Sequence, residues 1–315
     1  MFHKLLVPLD GSELAERALP VAASLLPATG GEMILLTVPA LHPVSRASYG
    51  GYMWLYPDQA NHFSREQALA YLASISRRCE REGVTFRHEV ITGDPAGVIV
   101  DQAARLGADA IVMTTRGYSG LTRWTLGSVS EKVMRGATSP VVVVREPRPL
   151  RRILVPLDGS EHGERALPHA FWLARENKAR LTLLYVVEPF IALAPPTLGW
   201  EHVAMQVDET ATEKLAQQAA AYLENVATRY STLDFEAEPV VLYGPTAETI
   251  LQYAEENGAD LIAMATHGRT GLRRWVYGSV TEKVLRGVHS SLLVVRVPEH
   301  LLHEEPAHAE QAHNL

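Results

Sequence analysis

The sequence predicts an α/β protein of two tandem, doubly wound domains, each a mainly parallel five-stranded sheet with helices on both faces. Two observations carry that prediction. Short runs that are apolar throughout, rather than alternating, recur between amphipathic stretches of helical length, the pattern of strands covered on both faces. The pattern also occurs twice: Leu6-Val7-Pro8-Leu9-Asp10-Gly11-Ser12-Glu13 returns without a change as Leu154-Val155-Pro156-Leu157-Asp158-Gly159-Ser160-Glu161, an offset of 148 residues (158 − 10).

In the first copy the expected elements are a strand over 4–8, a helix over 13–26 and a strand over 33–38. A helix over 65–82, a strand over 85–91 and a helix over 96–106 follow, then a strand over 110–114, a helix over 129–135 and a strand over 141–145. Ser64 with Gln67 reads as a capping box for the second helix, and Asp94-Pro95 as an N-cap with proline at the first position of the third. The second copy follows the same order. Gly127-Ser128-Val129 with Glu131-Lys132-Val133 returns as Gly278-Ser279-Val280 with Glu282-Lys283-Val284, now at an offset of 151 (278 − 127), so three residues enter earlier, in the divergent stretches 40–62 and 188–207. Two prolines in Glu146-Pro147-Arg148-Pro149 mark a connector. The expected division is 1–146, a linker at 147–149, 150–298, and a disordered tail over 299–315, whose four histidines read as a polar tail before a metal site.

Composition narrows the function. With 47% hydrophobic and 21% charged residues the chain is globular rather than disordered. A net charge of −7 argues against binding a phosphate backbone, so DNA and RNA are not expected partners. No apolar run approaches the ~18 residues of a membrane span, and the first ten residues lack a secretory pattern, so a cytoplasmic location is expected. The single cysteine, Cys79, expected on a helix, excludes an intrachain disulfide and CxxC chemistry.

In a doubly wound sheet, ligands bind beyond the carboxyl ends of the strands where the strand order reverses. The loops after the first and fourth strands meet there: residues 8–12 and 114–120, with counterparts at 156–160 and 265–271. Their glycines permit close backbone approach to a phosphate, and Gly127-Ser128 and Gly278-Ser279 open helices whose free amides favour an anion. Two plainer readings stand beside this. Ser128-x-x-Glu131 and Ser279-x-x-Glu282 match capping boxes, and Asp10 and Asp158 match caps of the first helix. Arg269, Arg273 and Arg274 line the second copy's loop where the first has Tyr118, Thr122 and Arg123. They read as phosphate ligands or as a solvated face, and His267 as a loop residue.

The VPLDGSE segments, the Gly93-Asp94-Pro95 and Tyr243-Gly244-Pro245 turns, the glycine loops and the two GSV[ST]EKV segments together resemble the universal stress protein family, as a tandem member, over nearly the whole chain. The resemblance implies a Rossmann-like, adenine-nucleotide α-hydrolase-like fold. It implies an ATP-binding regulatory module in stress adaptation, with Mg²⁺ accompanying the nucleotide and no efficient catalysis. It assigns to the site Pro8, Asp10, Val38, Gly93, Gly117, Gly120, Gly127, Ser128 and Val129, and in the second copy Pro156, Asp158, Val186, Gly244, Thr266, Gly268, Arg269, Gly271, Gly278, Ser279 and Val280.

The aspartates fall near the adenosine, the valines near the base, and the glycines and serines at the phosphates. ATP-binding members carry G-x2-G-x9-G-[ST]; here Thr114 and Ala265 replace the first glycine, and the β-branched Thr114 disfavours the first copy. The resemblance also implies an internal pseudo-dimer through the strands over 141–145 and 292–296, and a homodimer. The alternatives are a pairing scaffold without nucleotide and a slow ATPase; the usual P-loop, dinucleotide, hydrolase and zinc-protease motifs are absent from the sequence.

Overall fold

The computed structural model describes residues 1–28, 30–39, 57–80, 83–115, 127–189, 191–193, 205–207, 209–232, 235–267 and 278–297. The N-terminal half runs β1 (Lys4–Pro8), α1 (Glu13–Glu16), α2 (Ala18–Leu25), β2 (Glu32–Thr37), α3 (Pro57–Arg78), β3 (Thr85–Val90), α4 (Pro95–Leu106), β4 (Ala110–Thr114), α5 (Ser128–Gly136) and β5 (Val141–Val144). The C-terminal half runs β6 (Arg152–Leu157), a 3-10 turn (Gly163–Ala166), α6 (Leu167–Asn177), β7 (Arg180–Val187), β8 (Ile191–Leu193), β9 (Met205–Val207), α7 (Glu209–Tyr230), β10 (Glu238–Tyr243), α8 (Thr246–Glu256), β11 (Leu261–His267), α9 (Ser279–Gly287) and β12 (Ser291–Val297).

Ten strands form one sheet in the order β10-β7-β6-β11-β12-β5-β4-β1-β2-β3. Within each half of this sheet every pairing is parallel and the order is the doubly wound 3-2-1-4-5; the halves meet where β12 runs antiparallel to β5, Leu292 opposite Val143 and Val294 opposite Val141. The strands are apolar on both faces because both faces are covered. Val141 and Val143 enter the core cluster under α4, α5, α8 and α9, whereas Val142 and Val144 enter the cluster under α2, α3, α6 and α7. Both clusters continue from one half into the other, so the β5–β12 joint is core rather than a surface contact. The short β8–β9 hairpin falls in one of the divergent stretches.

Four local expectations change. The helix expected over 13–26 breaks at Arg17 into α1 and α2. Pro20 is the reason: inside one continuous helix it would lack the amide bond to Glu16 and its ring would strike that carbonyl, whereas in the first turn of α2 its missing N–H costs nothing. The matching Pro168 sits in the first turn of α6, again preceded by a separate turn. α3 begins at Pro57, so Ser64 lies within the helix and the Ser64–Gln67 capping box is not its start. Cys79 lies just past α3, its amide bonded to the Ile75 carbonyl at 2.9 Å, and burial pushes its thiol pKa up, away from reactivity. The fourth change, at the α5 and α9 caps, belongs to the site.

Candidate anion crevices at the carboxyl edge of each half

The backbone of β1 turns its polar groups alternately to β2 and β4. The His3 carbonyl accepts from Glu32 at 2.7 Å, the Lys4 carbonyl from Asp109 at 2.8 Å, and the Leu9 amide donates to the Leu36 carbonyl at 2.8 Å. By that alternation the Pro8 nitrogen faces β4, and it carries no hydrogen to donate. The β1–β4 register accordingly stops at Leu6 opposite Ile111, although β4 continues to Thr114, while β1 stays paired with β2 through Pro8 opposite Leu36.

The second half repeats the device. The Arg151 carbonyl accepts from Arg180 at 2.8 Å and the Arg152 carbonyl from Asp260 at 2.9 Å, which turns Pro156 toward β11. The β6–β11 register ends at Leu154 opposite Ile262, although β11 runs on to His267. Each proline thus ends the pairing of the two strands at the point where the strand order reverses, the place where a doubly wound sheet offers a ligand crevice.

Asp10 and Asp158 hold the near rim. Asp10 Oδ1 accepts from Ser12 N (3.0 Å) and Ser12 Oγ (2.6 Å), and Ser12 Oγ accepts from Ala15 N (3.1 Å). Asp158 Oδ1 accepts from Ser160 N (3.0 Å) and Oγ (2.6 Å), and Ser160 Oγ accepts from Gly163 N (3.0 Å). The plain capping reading of the aspartates is therefore corrected: Ser12 caps α1, Ser160 accepts from the first residue of the 3-10 turn, and each aspartate braces its serine through one oxygen, Oδ1.

The far wall is the start of α5 and α9. Gly127 and Gly278 are the N-caps, both extended, and neither helix has a side-chain cap; Ser128 and Ser279 are already the first helical residues. The capping-box reading of these serines is thus off by one position. The true third residues are Ser130 and Thr281, both buried, and Ser130 Oγ donates 2.9 Å to the Thr114 carbonyl. Gly127 N donates 2.7 Å to the Thr115 carbonyl, which ties the cap to the end of β4. The amides of Ser128 and Val129, and of Ser279 and Val280, belong to a first turn that a helix leaves without internal partners, at the positive end of its dipole. A Cβ on Gly278 would meet nothing within 4 Å among the described residues, so this wall is bare backbone.

Two more predicted residues stand at the same edge. Gly93 and Gly244 follow β3 and β10 at φ +154° and +141°, and a Cβ there would come within 2.8 Å of Val98 Cγ2 and 2.7 Å of Thr249 Oγ1. Only glycine lets the chain fold back so closely onto the next helix. Val38 lies just past β2, half-buried, and Val186 is buried in β7. Thr266 is buried near the end of β11. Gly117, Gly120, Gly268, Arg269 and Gly271 lie outside the described residues, as do Arg273, Arg274 and the tail over 299–315.

One participant was missed. Asp94 caps α4, its Oδ2 accepting from Gly97 N at 3.1 Å, but its counterpart in the second half is Pro245, which has no side chain to cap with. Glu188, one residue past β7, supplies the bond from outside: its Oε1 accepts from Thr246 N (3.2 Å) and Thr246 Oγ1 (2.7 Å). Those bonds hold the Glu188 carboxyl below the usual carboxylate range. A proline standing at a cap position was the signal that a donor-satisfying group had to come from elsewhere. Among the described residues no group of three or more His, Cys, Asp or Glu could hold a metal ion, and no helix is long and apolar enough to cross a membrane.

Comparison with known proteins shows the family and the fold. The model of the universal stress protein family matches residues 1–145 and again 149–296. Universal stress protein MJ0531 of Methanocaldococcus jannaschii is 34% identical over 151 residues, 47% of this chain and 84% of that protein. Universal stress protein Mb2028c of Mycobacterium bovis is 23% identical over 305 residues, 93% of this chain and 97% of that protein. The crystal structure of a universal stress protein from Archaeoglobus fulgidus superposes with a TM-score of 0.66 at 23% identity, covering 94% of this chain and 99% of that one, which extends the likeness to the fold of both halves together.

Proposed function

Because the chain belongs to the universal stress protein family, we propose that it is an adenine-nucleotide-binding regulatory module of stress adaptation, with the C-terminal crevice the stronger site. The observation that carries the reading is the pairing of a proline-parted strand edge with a glycine-capped helix start in each half. Pro156 parts β6 from β11, and Gly278 leaves the first-turn amides of α9 without a side-chain cap. Such amides suit phosphoryl oxygens, which need several aligned N–H donors and no competing side chain. Asp158, fixed by Ser160, stands at the near rim for the sugar, and Val186 lines the side toward β7 for the base.

The bound nucleotide brings Mg²⁺ on its phosphates. The protein's own part is to bind and orient them, and its output is a change in the state of the module rather than turnover. The ranking of the two halves rests on three differences: Ala265 in place of Thr114, arginine at 269 and 273 in place of Tyr118 and Thr122, and Asp158 braced further by Tyr185, whose hydroxyl donates 3.4 Å to the Asp158 carbonyl.

The test is thermal stability of the full chain with and without Mg-ATP. A rise in melting temperature that Gly278→Val reduces and Gly278→Val combined with Gly127→Val abolishes supports the cradles, because a branched side chain at each cap would occupy the phosphate position. A rise that survives the double substitution refutes them. A second reading, a pairing scaffold without ligand, is favoured by the continuous core across β5 and β12, and predicts no rise with any nucleotide.

A further inference from the structure

Each crevice-facing helix is held at its far end by an arginine from the other half. Arg145, the residue after β5, reaches across the joint and donates from Nη2 to the Leu285 carbonyl of α9 at 2.5 Å. Arg296, in β12, donates from Nη1 to the Ala137 carbonyl, at the C-cap of α5, at 3.3 Å. The two arginines occupy equivalent places in the repeat, 151 residues apart (296 − 145), and both are partly buried. The Leu285 carbonyl is one of the last four in its helix, which have no internal partner and sit at the negative end of the dipole, so a guanidinium meets both its hydrogen-bonding and its electrostatic need.

We infer that Arg145 and Arg296 are positioning residues that act in trans, each setting the depth and direction of the helix whose start faces the other half's crevice. The inference rests on the nucleotide reading of those crevices. α9 has nine residues, a rod of roughly 13 Å at ~1.5 Å per residue, so fixing its last turn fixes where its first-turn amides lie. The antiparallel β5–β12 joint is what brings the arginine there: it sets Val141 opposite Val294 and carries the end of β5 back along β12 toward the end of α9. Neither half completes its own site.

The experiment uses the full chain and isothermal titration with Mg-ATP, with one site silenced at a time. In a Gly127→Val background, where the C-terminal site is read, Arg145→Gln is expected to raise Kd about two- to fivefold and Arg296→Gln to leave it unchanged. In a Gly278→Val background the dependence reverses. Arg145→Lys restores only part of the affinity, since an ammonium lacks the planar fork. Uncrossed losses, each arginine weakening its own half, or unchanged Kd in both backgrounds, overturn the inference.

If the unsubstituted chain shows no binding of Mg-ATP, the nucleotide reading fails by itself, and hydrogen exchange decides the arginine's role separately. Arg145→Gln should then speed exchange of the amides at 285–288 without speeding those at 134–137. Equal rates in both segments would sink the positioning role.

Discussion

The two halves share a topology yet solve several local problems differently. Both end the pairing of the first strand with the fourth at a proline, brace a serine with an aspartate, and start the last helix on a glycine without a side-chain cap. Both also pin the long helix to the first turn through a glutamate and an arginine: Arg78 to Glu16 at 2.6 Å and Arg229 to Glu164 at 2.8 Å. Beside these pairs stand Tyr71 and Tyr222, whose hydroxyls burial, and then the glutamates, keep protonated well above the usual range. The differences lie one step away. Tyr185 fills the space against Asp158 and Gly159 and meets Tyr222 edge-on at 6.2 Å, whereas its counterpart Thr37 keeps a buried hydroxyl with no hydrogen-bond partner among the described residues. What is retained in both halves is the geometry that opens the crevice; what differs is how firmly each rim is held.

The largest effect expected from testing that comparison is at the entry to the first strand of each half. Phe2 is fully buried and lies 5.4 Å from the His169 ring and 5.5 Å from the Trp172 ring of α6, while its counterpart Leu150 is 3% exposed. Phe2→Ala should cost about 3–5 kcal/mol and Leu150→Ala about 2–4 kcal/mol in urea unfolding. The reverse order would mean that the contact between α6 and the N-terminal segment adds nothing.

Next in size is the nucleotide effect. At ligand concentrations near 100 Kd, stabilisation is about 2.7 kcal/mol. Gly268→Val should remove more nucleotide from the chain in a two-site titration than Gly117→Val does. Equal losses would show that Thr114 is no handicap to the first half.

A smaller difference is expected between the two third-helix caps. Asp94→Ala should cost about 1 kcal/mol, the ordinary value of a side-chain N-cap. Glu188→Ala should cost less, because that carboxylate reaches in from an exposed loop. Glu188 also has a pH signature. Its pKa is lowered in the fold, so its contribution is present above the usual carboxylate range and lost as the pH falls through it. An Asp94→Ala chain with unchanged thermal stability would remove the distinction.

The smallest effect is at His169, where burial lowers the imidazole pKa. The neutral ring is the form the fold accepts. Its contribution is therefore full above about pH 6.5 and declines as the pH falls below that value, where the unfolded chain takes up the proton first. His169→Gln should flatten the fall in stability between about pH 6.5 and 5. A slope that persists in that variant would assign it to other groups.

Much of this was legible in the residues. Strands 4–8 and 110–114 are observed with the bounds their apolar runs gave, and Asp94-Pro95 caps α4 as its residue types require. Less legible were features whose cause lies out of sequence order. Pro20 breaks a helix that periodicity alone would draw through it, since the apolar spacing of 18–25 continues the register of 13–16. Gly127 takes the cap that the S-x-x-E pattern gave to Ser128 because a cap is defined by where the extended backbone ends, and that is set by the bond from Gly127 to Thr115 at the end of β4. Glu188 replaces an absent cap from 57 residues away (245 − 188), a distance no local pattern spans.

The amino-acid order by itself dictated a duplicated, doubly wound architecture, because apolar runs without alternation are stable only under two layers of helices, and an eight-residue identity repeated along a chain repeats the fold it encodes. The family resemblance anticipated that the strands over 141–145 and 292–296 pair, and β5 and β12 do; tertiary structure alone decided that they run antiparallel in this register within a single ten-stranded sheet and that Arg145 and Arg296 cross to the opposite half. The physical reason is range: periodicity and capping act within a few residues, while hydrogen bonds across 140 and 159 positions of chain exist only once both sheets have formed and found a common edge.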